Sequence, residues 1–164
     1  MDNLIKIYLD TSVINFLFAD DAPELKEITV DLFENYISQN KYKSYISDFV
    51  LFEIGNTKDS EKKEKLVKVI GDYNLEILSM ERQNEITELA NLYLDQGVIP
   101  KSSETDAFHI AISVLNNINY LISWNYKHLA NVNKEKKIKM LNIKQNYLNE
   151  LRIITPLELL NYED

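Results

Sequence analysis

Three carboxylates and an amide stand where apolar segments of this chain end or turn. Asp10 closes the first apolar segment in "YLDTSVINFL", Glu53 lies within "SDFVLFEIGN", Asp106 opens "TDAFHIAIS", and Asn125 follows "YLISW". Oxygen donors of this kind suit Mg²⁺ or Mn²⁺, hard cations that bind through one or two carboxylates and keep several waters. Drawn together without a cation, three carboxylates would repel, and at least one would take up a proton. A divalent ion removes that repulsion, activates water and screens a phosphodiester during in-line displacement. With two His and no Cys, the chain has little to offer a dedicated structural zinc site.

Each position also has a plainer account. Asp10, Thr11 and Ser12 precede an apolar run, and any of the three could cap a helix there. Glu53 shares a helical face with Phe49 and Val50, where a carboxylate is costly unless paired, protonated or metal-bound. Arg82 or Lys101 could supply the pairing. Ser103 and Asp106 imitate a capping box, and Asp106 also belongs to a polar stripe with Ser102, His109 and Ser113 that would suit a solvent-facing side. Asn125 could cap the turn that begins at Tyr126, and His128 suits a surface position or a loop-stabilising role. Taken singly, the capping and solvent accounts suffice. Joint placement at strand and helix ends is what points to chemistry.

The elements that must position these groups follow from hydrophobic periodicity. "LIKIYLD", "KSYISD", "LEILSM", "YLISW" and "RIITP" read as five short strands. Helices are expected from Pro23 to about Ser38, over "FVLFEIGN", from Glu61 to Ile70, from Glu81 to Gln96 with a stop at Gly97, from Glu104 to about Asn116, and over "KEKKIKMLNIKQNYLNEL". Such alternation predicts an α/β fold, a three-layer α/β/α sandwich around a mainly parallel sheet. In these sheets, sites form at the carboxyl ends of strands near a topological switch point.

Composition narrows the class further. At 164 residues, 45% of them hydrophobic, the chain is expected to form one domain over 1–164. No apolar run reaches the ~18 residues of a membrane span, and neither a signal peptide nor a cysteine is seen, so a cytoplasmic protein is expected. A net charge of −8 argues against a purely electrostatic grip on nucleic acid. Lys101, Lys127, Trp124 and Tyr126 are candidate contacts to a phosphodiester backbone near the ion, through charge or base stacking.

"YLDTSVINFLF", "SDFVLFEI", "TDAFHIAIS" and "YLISWNYKHLAN", in that order, resemble the PIN-domain family, and most closely its prokaryotic VapC-type toxins. The resemblance spans the chain from about Ile5 to the "IITPLELL" tail. It implies a metal-dependent endoribonuclease with RNA as substrate, Mg²⁺ or Mn²⁺ as cofactor, and a cognate antitoxin or a homodimer as partner. Asp10, Glu53 and Asp106 match the family's metal-binding acids, and Thr11 or Ser12 would orient ligands or water. The fourth position, normally an acid, is Asn125, which brings an oxygen but no charge and cannot act as a general base. That departure leaves a second reading open, a catalytically weak or inactive PIN-like module binding RNA or a protein. A phosphatase-like enzyme with Asp10 as nucleophile fits less well, because "DTS" lacks a second aspartate two residues on.

Overall fold

The computed structural model describes residues 3–125, 129 and 131–163. Its centre is β1 (Lys6–Leu9), whose Ile7, Tyr8 and Leu9 are fully buried because the strand has neighbours on both edges and layers on both faces. β2 (Lys43–Ile46) and β3 (Glu76–Ile77) extend the sheet to one side, β4 (Tyr120–Ile122) and β5 (Arg152–Ile154) to the other. All four pairings are parallel, in the order β3-β2-β1-β4-β5. The α/β architecture with a parallel central sheet expected from the sequence is therefore present.

Strand order reverses at β1, so the crevice between its carboxyl end and that of β4 is the topological switch point. Tyr8 pairs with Leu121 and Leu9 with Ile122, which brings residues 10 and 123–125 to the same end of the sheet. Two helices start next to this crevice. α1 (Thr11–Phe16) leaves β1 directly, and α3 (Asp48–Gly55) leaves β2 after Ser47.

The remaining helices close the core. α2 (Pro23–Leu32) has Pro in its first turn and continues into a π-helical turn, Phe33–Ile37, so the expected helix to Ser38 is two pieces. α4 (Ser60–Asp72) is the outer charged helix, burying Leu66 and Val69. α5 (Gln83–Asp95) ends at Gly97, whose φ of 69° suits glycine. A 3₁₀ turn, Lys101–Ser103, leads into α6 (Glu104–Leu115), which is buried along most of its length. α7 (Val132–Lys144) stops earlier than its charged sequence suggests, where Asn146 takes a φ of 66°. α8 (Pro156–Glu163) closes the chain described. Among the described residues no helix is long and apolar enough to cross a membrane.

The third strand is shorter than expected, two residues in place of "LEILSM". It lies at the sheet edge with both residues exposed, so a longer strand would leave more unpaired backbone open to water and to other chains.

α4 also offers a simple stability test. Asp59 accepts hydrogen bonds from Glu61 N–H (3.0 Å) and Lys62 N–H (3.2 Å), satisfying two donors that the helix cannot satisfy itself. Asp59→Ala is expected to cost about 1 kcal/mol and to lower the thermal midpoint by about 2–4 °C, measured by circular dichroism.

Candidate functional site

Asp10 follows β1 in extended conformation and is only 4% exposed. Its amide N–H donates to Ile122 O (3.2 Å), tying it to β4. Its carboxylate accepts from Ser12 Oγ and, at 3.4 Å, from Val13 N–H, so the capping account of Asp10 is correct as far as it goes. A cap needs no burial, however. Burial pushes this carboxyl above the ordinary aspartate range, against the pull of the nearby His109 and of hydrogen bonds from Ser12, Ser123 and Val13. Ser12 does a second task, accepting the Trp124 N–H at 3.0 Å. The Trp124 indole N–H in turn reaches Thr29 Oγ1 at 2.9 Å, so the end of β4 is anchored to both α1 and α2.

Glu53 projects from α3 with its side chain 36% exposed. Thr11 Oγ donates to Oε1 at 2.8 Å and the His109 ring nitrogen Nε2 approaches the same oxygen at 3.0 Å. Burial alone would raise this carboxyl, but the contact with His109 and the Thr11 hydrogen bond outweigh it, and Glu53 lies below the ordinary glutamate range. Neither sequence-stated partner is used. Arg82 pairs with Glu85, and Lys101 sits exposed on the 3₁₀ turn. Glu53 also lines a surface cavity of about 450 Å³ with Phe49, Phe52, Asn56, Glu104 and Phe108.

Asp106 lies in the first turn of α6 and is partly buried. Ser103 holds the N-cap position but makes no side-chain capping bond, so the imitation capping box is not formed. Instead the Asn125 amide Nδ2 donates to Asp106 Oδ2 at 3.3 Å. Where an acid would repel Asp106, Asn125 gives it a neutral donor. The polar stripe on α6 does not face solvent either, since His109 and Ser113 are 2% and 0% exposed.

Hydrogen bonds pair Asp10 with Ser12, Thr11 with Glu53, and Asn125 with Asp106, while Ser123 links the Asn125 N–H to the Asp10 carboxylate. Among the described residues no group of three or more His, Cys, Asp or Glu side chains could hold a metal ion as they stand. A divalent ion here would therefore be held by one or two carboxylates, with waters and substrate phosphate completing its shell, as Mg²⁺ commonly is. The donor chemistry suits that. Asp10 is a buried carboxylate with neutral donors around it, and among the described residues no Lys or Arg forms an ion pair with Asp10 or Glu53. Tyr126, Lys127 and His128 lie outside the described residues.

Sequence reasoning missed three buried polar side chains. His109 Nδ1 meets Tyr8 OH at 2.6 Å, and the same hydroxyl meets Ser47 Oγ at 2.6 Å. One signal was available. Tyr8 lies two residues before Asp10 and so shares its side of the strand, and His109 lies three residues after Asp106 on α6.

Comparisons with known proteins bear on the same elements. The family model for the PIN domain matches residues 7–135. A chain in the crystal structure of VapBC2 from Rickettsia felis bound to a DNA fragment from their promoter superposes with a TM-score of 0.56 at 16% identity, covering 92% of this chain and 98% of that one. A comparison with curated proteins gave no match.

Proposed function

The chain belongs to the PIN-domain family, and from that premise we propose that it is a metal-dependent endoribonuclease, the toxin of a toxin–antitoxin pair. The observation that carries this reading is Asp10, a carboxylate buried at the switch point with only neutral hydrogen-bond donors and an imidazole near it. A buried carboxylate with no Lys or Arg paired to it is costly even when hydrogen-bonded, and cost concentrated at a site is a mark of function.

Asp10 and Glu53 would hold a Mg²⁺ or Mn²⁺ ion, with Asp106 facing substrate or a bound water. When bound, such an ion would supply Lewis acidity toward a phosphate and lower the pKa of a bound water. Ser12 fixes the Asp10 carboxylate and Thr11 the Glu53 carboxylate, so neither has to reorganise when charge develops. Asn125 holds Asp106 in one orientation. His128, outside the described residues, would support the loop after β4, the role the sequence offers it. The similarity to a VapBC2 chain supports a cognate antitoxin, with a homodimer as a further partner, and a substrate of cellular RNA implies action in the cytoplasm. One contiguous apolar core running from Ile7 to Leu160 supports reading 1–164 as a single domain.

Single-stranded RNA incubated with the protein and Mn²⁺ is the direct test. Cleavage is expected to appear with the ion, to stop on chelation with EDTA, and to return when Mn²⁺ is restored. Undiminished cleavage in excess EDTA would remove the metal from the mechanism.

The Asn125–Asp106 hydrogen bond favours the second reading, a weak or inactive module that binds RNA or a protein. Calorimetric titration separates the two. Mn²⁺ binding that Glu53→Gln abolishes supports the enzyme, and RNA binding with no Mn²⁺ uptake supports the module.

A further inference from the structure

Behind Glu53 runs a buried chain of polar side chains that the residues named so far leave unexplained. It passes from Glu53 Oε1 to His109 Nε2 (3.0 Å), from His109 Nδ1 to Tyr8 OH (2.6 Å), and from Tyr8 OH to Ser47 Oγ (2.6 Å). Tyr8, Ser47 and His109 are at most 2% exposed, and each comes from a different element. Buried polar groups of this kind stay only where all are satisfied, and here each one is.

The direction of the chain follows from what each atom can do. An ionised carboxylate only accepts, so the Nε2 atom facing Glu53 carries a proton. The Tyr8 hydroxyl, 2.6 Å from Nδ1 and 2.6 Å from Ser47 Oγ, can then donate to the ring and accept from the serine. Ser47 stands at the N-cap of α3 yet makes no side-chain capping bond there, and its hydroxyl meets Tyr8 OH instead. The helix that carries Glu53 has thus given up a cap to complete a chain that ends on Glu53.

We propose that His109 is a positioning residue for Glu53, held in its Nε2–H tautomer by Tyr8 so that Glu53 Oε1 is saturated and Oε2 alone faces the site. Thr11 supplies the second donor to Oε1. Two donors on one oxygen fix the rotation of the carboxylate and define which oxygen meets a cation or a water. Outer partners of this sort commonly change metal affinity or activity by about 10–100-fold. The inference rests on the reading of Glu53 as a site carboxylate.

The experiment is Mn²⁺ titration without RNA, followed by calorimetry and by the electron paramagnetic resonance signal of free Mn²⁺, in the wild type and in four variants. His109→Leu removes both ring nitrogens. His109→Gln presents an amide donor and a carbonyl acceptor in their place. Tyr8→Phe cuts the chain beyond the ring, and Glu53→Gln is the reference for complete loss. Expected are about tenfold weaker binding in His109→Leu, a smaller loss in Tyr8→Phe, and recovery to within about threefold in His109→Gln. Thermal midpoints of all variants separate misfolding from mispositioning. If His109→Leu misfolds, Tyr8→Phe and His109→Gln decide the matter.

Wild-type affinity in folded His109→Leu and Tyr8→Phe, with affinity lost in Glu53→Gln, overturns the positioning role and leaves the functional reading standing. Equal affinity in wild type and Glu53→Gln, or no binding by the wild type, removes both together. Loss in His109→Leu that His109→Gln does not recover, although Gln folds normally, also overturns it, since a structural role alone would then account for the ring.

Discussion

Asp10→Asn is expected to lower kcat/KM for RNA cleavage by about 10³-fold, a loss of about 4 kcal/mol in transition-state stabilisation, while raising the thermal midpoint. The two effects have one cause. The amide keeps an oxygen for Ser12 and for Val13 N–H but discards the charge that burial penalises. Activity needs that charge, and stability is better without it.

The pH dependence follows from the direction of the shift. Because burial puts the folded-state value of Asp10 above its unfolded value, the penalty is absent below the unfolded value, grows as pH rises between the two, and is full above the folded one. The midpoint advantage of Asp10→Asn should therefore be largest near neutrality and vanish below about pH 3.8, the unperturbed aspartate value. Glu53 shifts the other way, so its contribution is present above its unfolded value and lost as pH falls through the lower folded one. It does so in both proteins and cancels in the comparison. Added Mn²⁺ should close the gap at neutral pH by stabilising the wild type alone. Equal cleavage by wild type and Asp10→Asn would sink the catalytic assignment.

Asn125→Asp should tighten Mn²⁺ binding by about tenfold and raise cleavage at limiting ion. The substitution removes the amide hydrogen bond to Asp106 and adds a second carboxylate within reach of it. Attraction of the new charge to the ion is large, but repulsion from Asp106 offsets most of it, leaving about 1–2 kcal/mol. Without the ion the same repulsion works against the fold. Thermal unfolding with and without Mn²⁺ should therefore give a larger ion-induced rise for Asn125→Asp than for the wild type. Weaker Mn²⁺ binding in the variant would mean that Asn125 contributes more through holding Asp106 than an acid could contribute through charge.

The features legible in the sequence are those set by local pattern. Ile5, Ile7 and Leu9 alternate with polar neighbours and identify the strand that ends at Asp10, although the alternation did not reveal that Tyr8 between them is as fully buried as Ile7 and Leu9. "TDAFHIAIS" is legible as a helix by its own local pattern. Partner choice is a different matter. Arg82 and Lys101 were partners the sequence offered Glu53, but it pairs with Thr11 and with His109, 42 and 56 residues away, because the sheet order and not the chain brings them together. His109 looked solvent-facing by helical spacing. The stripe to which it belongs packs inward at its lower end, against Tyr8 on a strand that helical periodicity cannot see. The break of the second helix at Leu32 had no sequence signal, since neither Gly nor Pro marks it.

The pairing of β1 with β4 has a consequence for a chain still being synthesised. Ribosomes deliver residues 3–16 early, but Ile122 O, Ser123 and the Trp124 amide, which surround Asp10 and Ser12, are delivered more than a hundred residues later. Until that segment emerges, a nascent polypeptide has the first carboxylate without the wall that buries it, and parallel pairing across so long a separation is slow to form. A site built this way stays incomplete until β4 has emerged.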